Sequence, residues 1–245
     1  MLLGKILSKI AYTYGLEIFR YDPLGKYSEL IKFVKPFTMT SNSSLISLID
    51  AVEYTIKNNI SGSIVECGVW KGGSMMAVVK TLIKMNSNDR DLYLFDTFTG
   101  MTQPSKLDVG VGTAEKAVDI FNKEKTGEDT SNWIRASINE VKKNFANLDY
   151  NQKKIHFIEG KVEETIPKNS PDKIALLRLD TDWYESTKHE LIHLFPKLSR
   201  GGIIIIDDYD DWEGCRKAVD EYIINEKIPL LLSKIPNGGR IGIKI

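Results

Sequence analysis

The sequence of 245 residues has few cysteines and no excess of charge of either sign. Its two cysteines, Cys67 and Cys215, are too few for a disulfide framework and fit a reducing compartment, so we expect a cytoplasmic protein. The 33 lysines and arginines balance the 33 aspartates and glutamates, and no block of five basic residues occurs. Without a positive field to attract phosphates, nucleic acid is not an expected partner.

Long apolar runs are absent as well. None approaches the roughly 20 residues that a membrane-spanning helix needs. Residues 1–7 are mostly apolar, but they lack the leading basic region and the clear cleavage site of a signal peptide. We interpret them as a short helix that packs on the domain or on a partner. With 42% hydrophobic residues, the chain is long enough for one well-buried domain.

Short apolar runs alternate with segments of helical period. Five runs are nearly continuous, which is typical of strands buried on both faces of a parallel sheet. They cover residues 63–68, 92–96, 155–159, 174–180 and 202–208. Two later runs, 229–233 and 240–245, flank the turn 236–239, which indicates a hairpin and an antiparallel last strand. The pattern predicts an α/β fold with a mostly parallel, seven-stranded sheet and helices on both faces.

Helical periodicity and polar segments suggest how the chain is organised. Helices are predicted at residues 45–58, 74–85, 184–198 and 212–225, the first of them capped from the polar cluster 38–44. We expect a helical extension over residues 1–60 that covers a cofactor, followed by the main domain at 61–245. Residues 99–130 have weak periodicity, and we interpret them as a mobile lid.

The predicted strands deliver acidic residues to one edge of the sheet. Asp96, Glu159, Asp180 and the pair Asp207-Asp208 each end a strand, and ligands of open α/β sheets bind outside that edge. Capping of the helices that follow is the alternative explanation for any single acid.

The glycine turn after the first strand indicates the kind of cofactor. Gly68 to Gly73 has the spacing G-x-x-x-G-G, which differs from dinucleotide and phosphate-loop motifs. Glycine lets a ligand approach the backbone closely. Glu66 beside the turn suits a sulfonium cation with an amino acid tail better than it suits a phosphate, and Asp96 is placed to accept hydrogen bonds from both ribose hydroxyls. Together they predict a methyl donor.

A second group of acids suggests a metal site. If the fourth and fifth strands are neighbours, Asp180, Asp207 and Asp208 converge, and their mutual repulsion favours a bound cation. Oxygen ligands favour Mg²⁺, Mn²⁺ or Ca²⁺ over zinc. Asp182 could then be the general base, or it could cap the helix that begins near Trp183.

Two further features need an interpretation. Residues 189–193 match the zinc motif H-E-x-x-H, but this helix is a crossover between two strands and no third ligand follows. We therefore interpret His189 and His193 as a surface or half-buried pair. Arg178 lies within a buried strand and is expected to pair with an acid.

Several ordered blocks resemble the macrocin O-methyltransferase family, whose members methylate sugar hydroxyls of macrolide and aminocoumarin antibiotics. The resemblance runs from about residue 36 to the end and is carried by residues 37–41, 65–76, 94–101, 177–187, 205–209 and 216–220. It implies a Rossmann-like class I methyltransferase fold, S-adenosylmethionine as donor, a Mg²⁺ ion and a homodimer or larger homo-oligomer.

The resemblance also assigns roles to individual residues. Asp180, Asp207 and Asp208 match the metal ligands, and Asp182 matches a proposed general base. The predicted cofactor-binding residues are Met39, Ser41, Glu66, Gly68, Ser74, Asp96, Ser137 and Asp180. We expect a magnesium-dependent O-methyltransferase acting on a sugar of a natural product or of a surface glycan precursor. A nucleotide-cofactor oxidoreductase and a non-catalytic binding module of the same fold are the alternatives.

Overall fold

A seven-stranded sheet forms the centre of the protein in the computed structural model, which describes residues 24–113, 115–236 and 238–245. The strand order is β3-β2-β1-β4-β5-β7-β6. The first five strands are parallel, whereas β7 is antiparallel to both β5 and β6. Their bounds are β1 Ser63–Cys67, β2 Leu92–Asp96, β3 Ile155–Glu159, β4 Ile174–Leu179, β5 Leu198–Ile206, β6 Ser233–Ile235 and β7 Gly238–Ile243. This topology confirms the predicted fold.

Helices cover both faces of the sheet. On one face α1, α2, α3 and α5 pack over residues such as Ile64 and Leu176, and on the other α6, α7 and α8 pack over Val65 and Leu177. The bounds are α1 Ser28–Val34, α2 Asn42–Lys57, α3 Gly73–Lys84, α4 Ala117–Glu124, α5 Ile138–Ala146, α6 Val162–Thr165, α7 Tyr184–Leu194 and α8 Glu213–Asn225. Because β4 is buried at all six positions, it lies between two apolar layers, as its continuous apolar run predicts.

Three element boundaries depart most from the sequence prediction. Helix α7 ends at Leu194 rather than near residue 198, because Pro196 cannot continue a helix. Strand β5 consequently begins at Leu198. The predicted strand 229–233 is wrong, since β6 starts only at Ser233. Pro229 has no amide to donate to a ladder, and Leu231 is 82% exposed.

Residues 99–130 contain more regular structure than their weak periodicity indicates. Helix α4 lies within them, and isolated bridges join Val109 to Lys116 and Lys125 to Ser131. A third bridge joins Gly110 to Trp212, at the start of α8. Helix α5, which follows this segment, was also not predicted. The segment is therefore attached to the main domain at a defined place.

The described part of the predicted extension is helical. Ser41 caps α2 by accepting a hydrogen bond from the Ser44 amide at 3.0 Å, so the predicted cap from the cluster 38–44 is confirmed, with the helix beginning at Asn42. The helix predicted at residues 1–7 lies outside the described residues. Among the described helices, none has both the length and the apolar character to cross a membrane.

Candidate active site

A cavity of about 320 Å³ opens at the carboxyl ends of β1, β2, β4 and β5. It brings together most of the residues singled out in the sequence. Its walls include Met39, Ser41, Gly68, Ser74, Asp96, Asp180, Asp182, Asp207 and Asp208. Two predicted residues, Glu66 and Ser137, are not among those that line it. Ser137 instead accepts a hydrogen bond from the Glu140 amide at 3.3 Å and caps α5.

Contacts within the chain account for the glycines of the turn. Gly68 has a φ of +83°, and a Cβ there would lie 1.8 Å from the carbonyl oxygen of Asp180. A Cβ on Gly73 would lie 2.6 Å from the carbonyl carbon of Phe37. The sequence pattern alone suggests that these glycines serve the close approach of a ligand. The structure adds another cause, because glycine lets β4 and the segment before α2 pack directly against the turn.

Asp96 links the end of β2 to the glycine turn. One carboxylate oxygen accepts hydrogen bonds from the amides of Val69 at 2.6 Å and Trp70 at 3.0 Å. The other accepts from the Phe98 amide at 2.7 Å. Burial raises the pKa of Asp96, while these three amides oppose the shift. The carboxylate is thus held in one orientation at the cavity wall.

The segment before α2 is joined to the glycine turn by hydroxyl groups. Ser74 Oγ lies 3.0 Å from Thr40 Oγ1 and 3.3 Å from Thr38 Oγ1. Met39, between the two threonines, is 59% exposed and forms part of the cavity wall. A large apolar side chain is therefore held at the mouth of the cavity.

Arg178 is a fully buried cation beneath the cavity. Its guanidinium lies 2.8 Å from Glu66, 2.6 Å from Asp180 and 3.0 Å from Asp207, and it also donates to Thr40 Oγ1 at 3.0 Å. The prediction that Arg178 pairs with an acid is confirmed. Because Thr40 precedes the sheet in sequence, one side chain ties the covering segment to three strands.

Glu66 faces this arginine within the protein. Its Oε1 accepts from Arg178, whereas its Oε2 is buried without a hydrogen bond. Burial raises the pKa of Glu66 to about 7, and Arg178 opposes that rise. The assignment of Glu66 as a cofactor contact remains a prediction, and in this arrangement its clearest role is to hold Arg178.

The three predicted metal ligands converge. Asp180, Asp207 and Asp208 each offer a carboxylate oxygen, and these oxygens lie within 4.8 Å of one another. Across residues 24–113, 115–236 and 238–245, this is the one group of three or more such side chains that could hold an ion. Burial and the neighbouring Asp182 raise the pKa of Asp208 well above its usual range. Arg178 is the cation that faces this acidic group, so the site can accept further positive charge.

Asp182 lies on the same wall in a left-handed conformation, with a φ of +66°. Its Oδ1 accepts from the indole Nε1 of Trp212 at 2.8 Å, and its amide donates to Asp208 at 3.1 Å. Burial raises the pKa of Asp182 to about 7. The alternative role as a helix cap belongs to another residue: Asp108 accepts the amide of Tyr184, the first residue of α7, at 2.8 Å.

The H-E-x-x-H motif does not form a metal centre with any third ligand among the residues that the structure describes. His189 Nε2 lies 3.0 Å from the carbonyl oxygen of Ile166. Glu190 is fully buried and accepts from the hydroxyl of Thr181 at 2.9 Å. The glutamate thus points into the protein, as expected for a helix packed on the sheet.

The functional residues missed in the sequence are Thr40, Asp108 and Trp212. Thr40 falls in a block that carries the family resemblance, which was the available signal. Asp108 and Trp212 are more than 25 residues from their partners in α7 and at Asp182. A local sequence pattern cannot predict contacts between residues so distant in sequence.

The fold and the cavity define a class I methyltransferase. Among solved structures, the O-methyltransferase NovP has a TM-score of 0.73 at 32% identity, over 85% of this chain and 82% of that one. The calicheamicin methyltransferase CalS11 has the same fold, with a TM-score of 0.62 at 18% identity over 92% and 95% of the two chains.

The family is equally clear from the sequence match. The macrocin O-methyltransferase (TylF) family model matches residues 33–240, and the chain belongs to this family. It is 35% identical over 76% of its length, and over 67% of the relative, to demethyldecarbamoylnovobiocin O-methyltransferase of Streptomyces niveus. Mycinamicin III 3''-O-methyltransferase of Micromonospora griseorubida is 29% identical over 76% and 69% of the two lengths. The protein is therefore an S-adenosylmethionine-dependent O-methyltransferase, as predicted, rather than an oxidoreductase or a binding module.

Proposed function

We propose that this enzyme methylates a sugar hydroxyl and that a hard divalent cation, Mg²⁺ in the first instance, is required. The observation that carries the proposal is the convergence of Asp180, Asp207 and Asp208 in the same cavity as Gly68 and Asp96. Support for a sugar comes from a relative of Streptomyces olivaceus, 32% identical, which is named for a rhamnosyl-tetracenomycin substrate.

The donor half of the cavity consists of the glycine turn, Asp96 and residues 38–41. Oδ1 of Asp96 has one amide within 3.0 Å, from Phe98, so it keeps capacity for a ribose hydroxyl. Met39, Ser41 and Ser74 lie on the same side and would cover the methionine part of the donor. The cofactor roles of these residues, and of Gly68, Glu66, Ser137 and Asp180, are part of the proposal.

The acceptor half consists of Asp180, Asp182, Asp207 and Asp208. Their oxygens suit a hard cation, because carboxylates are the ligands that Mg²⁺ prefers. When bound by Asp180, Asp207 and Asp208, the cation would supply Lewis acidity that lowers the pKa of the acceptor hydroxyl. Arg178 keeps two of the three carboxylates in place through contacts of 2.6 and 3.0 Å.

Asp182 is the proposed general base. Its Oδ1 is fixed by Trp212, and Asp182 lines the cavity, where its carboxylate would accept the hydroxyl proton. The acceptor oxygen forms a bond to the donor methyl carbon as the carbon–sulfur bond breaks. S-adenosylhomocysteine leaves with the electron pair, and the proton remains on Asp182. Holding the reactants in line supplies a large part of the acceleration.

The remaining expectations belong to the same proposal. Residues 24–60 are the described part of the extension that covers the cofactor, and the methyltransferase domain spans residues 61–245. Residues 99–130 form a lid whose outer part sets acceptor choice. A homodimer or larger assembly and a cytoplasmic location remain predictions, and light scattering of the purified protein tests the first of them.

A panel of acceptors tests the reaction. Purified enzyme is incubated with S-adenosylmethionine and each of several compounds: demethylated antibiotic glycosides, free deoxysugars, nucleotide sugars and non-sugar phenols. S-adenosylhomocysteine and methylated product are measured by mass spectrometry. We expect product with at least one glycoside, loss of turnover in EDTA and recovery with added Mg²⁺. Methylation only of non-sugar phenols would overturn the sugar proposal.

A matched pair of variants separates the metal from the fold. Asp208→Asn removes one proposed ligand, whereas Asp119→Asn changes an exposed acid of α4. Mn²⁺ binding is measured by titration, with free and bound ion distinguished by electron paramagnetic resonance. We expect no bound Mn²⁺ in Asp208→Asn and wild-type binding in Asp119→Asn. Equal Mn²⁺ affinity in both variants, with turnover insensitive to EDTA, would contradict the metal role.

A further inference from the structure

Asp108 is a buried acid of the lid that does not line the cavity. Its side chain is 1% exposed. One carboxylate oxygen accepts from the amide and the hydroxyl of Ser105, at 2.6 and 2.7 Å. The other accepts from the amide of Tyr184 at 2.8 Å. Both oxygens are satisfied, and one of them joins the lid to the start of α7.

This contact replaces the missing cap of α7. Trp183, the residue that precedes the helix, makes no capping hydrogen bond with its own side chain. The first amides of a helix have no partner within it, and a carboxylate there is favoured by the helix dipole. Asp108 supplies that carboxylate from 76 residues away. Gly214 leaves the space for it, because a Cβ at that position would lie 2.0 Å from the Asp108 oxygen.

The residues after Asp108 hold the other side of the site. The Glu213 amide donates to Val109 at 2.8 Å, the Val111 amide donates to Asp211 at 2.9 Å, and a bridge joins Gly110 to Trp212. These bonds fix the backbone on both sides of Trp212. Its indole then donates to Asp182 at 2.8 Å.

Asp182 is thus held from two directions by one stretch of the lid. In the sequence it is two residues from Tyr184, whose amide donates a hydrogen bond to Asp108. Through its carboxylate it is bonded to Trp212, whose backbone runs beside residues 109–111. We propose that Asp108 is a positioning residue for the O-methyl transfer, which fixes the orientation of Asp182 without touching substrate. The inference rests on the proposed role of Asp182 as the base.

The consequence is a loss of rate without a loss of donor affinity. A misplacement of about 1 Å in a reacting geometry can cost roughly 100-fold in rate. The hydrogen bonds of the Asp108 side chain go to Ser105 and Tyr184, neither of which belongs to the donor half. We therefore expect Asp108→Ala to lower kcat by about 10- to 100-fold, with the Kd for S-adenosylhomocysteine unchanged within about two-fold. Asp108→Asn keeps an acceptor for the Tyr184 amide and should recover part of the rate.

The experiment compares Asp108→Ala, Asp108→Asn and the exposed control Asp149→Asn, which lies outside the lid, with the wild type. Turnover is measured with the glycoside that gives most product in the panel, and S-adenosylhomocysteine binding is measured by calorimetry. Hydrogen exchange follows peptides over residues 182–186 and 211–215. For Asp108→Ala we expect faster exchange in both peptides together with the lower kcat, partial recovery in Asp108→Asn, and no change in the control.

The outcomes distinguish this inference from the proposed function. Wild-type kcat or unchanged exchange over residues 182–186 in Asp108→Ala would overturn the inference. A large loss of S-adenosylhomocysteine affinity in the same variant would also overturn it, because the effect would then be a general loss of structure. If the wild type methylates no glycoside, the sugar proposal fails, and the exchange data still decide whether Asp108 holds α7.

Discussion

Carboxylates in the two halves of the cavity have different partners. In the donor half, Asp96 receives three backbone amides at 2.6 to 3.0 Å. In the acceptor half, Asp180 and Asp207 share a single cation, Arg178, and Asp208 receives one amide, from Asp182, at 3.1 Å. The charge of Asp96 is therefore compensated locally by the chain. The charge of the acceptor half is compensated only in part.

This difference suits the donor half to binding the cofactor and the acceptor half to the reaction itself. A carboxylate held by three amides has a fixed position, which suits recognition of a neutral ribose. A group of acids with one cation has unused acceptor capacity, which suits a metal and a proton transfer. Four substitutions can test this comparison, and they are taken from the largest expected effect to the smallest.

Removal of the shared cation should have the largest effect. Arg178→Met leaves Glu66, Asp180 and Asp207 without their buried partner. Breaking a buried ion pair from one side costs about 3–5 kcal/mol, so we expect a fall of that size in the free energy of unfolding, measured with urea. The exposed Arg135→Met should stay within about 0.5 kcal/mol of the wild type. Equal stability of the two variants would show that Arg178 does not compensate these acids.

The proton acceptor should give the next largest effect. Asp182→Asn keeps the acceptor for Trp212 but cannot take a proton. Loss of a general base lowers rates by about 100-fold or more, and we expect at least that fall in kcat on the best glycoside. Binding of S-adenosylhomocysteine should not change, nor should the exposed control Asp149→Asn lose activity. Full turnover in Asp182→Asn would show that another residue is the general base.

The sequence predicted the sheet better than it predicted the lid. The apolar runs at 92–96 and 155–159 became β2 and β3 with the predicted bounds, because strands buried between two helical layers allow few polar residues. Helix α4 was missed because it is only 8 residues long. Helical period is recognised over a window of about 11 to 18 residues, so a shorter helix gives a weak signal.

The residues of the site also fall into those that the sequence predicts and those that it does not. Acids at strand ends could be assigned to one edge of the sheet, since parallel strands all end there, and that argument placed Asp180, Asp207 and Asp208 together. It could not show that Gly68 is required by the Asp180 carbonyl, or that the cap of α7 comes from Asp108. These contacts depend on how distant segments pack, which no local pattern encodes.

The donor half should respond more mildly. Asp96→Asn replaces one carboxylate oxygen with an amide NH₂ group. This group is a donor, so the backbone amides that face it lose their acceptor. Hydrogen bonds to charged groups contribute about 1.5 kcal/mol or more, and we expect roughly tenfold weaker S-adenosylhomocysteine binding by calorimetry. Asp91→Asn, at the opposite end of β2 and outside the cavity, is the control. Loss of Mn²⁺ binding in Asp96→Asn would contradict the claim that the donor half and the metal site act independently.

Glu190 tests whether a buried acid that is not an ion-pair partner of Arg178 carries a proton. Burial raises the pKa of Glu190 well above its usual range, although Thr181 donates to it. A carboxyl with a raised pKa in the folded state contributes stability that is complete below the unfolded pKa, about 4.3, and is lost as the pH rises through the folded pKa. Glutamine has no such loss. We therefore expect the stability of Glu190→Gln relative to the wild type to rise between pH 5 and pH 8 in urea unfolding. The exposed Glu185→Gln on the same helix should give a flat difference. If Glu190→Gln is equally flat, Glu190 is ionised in the folded protein despite its burial.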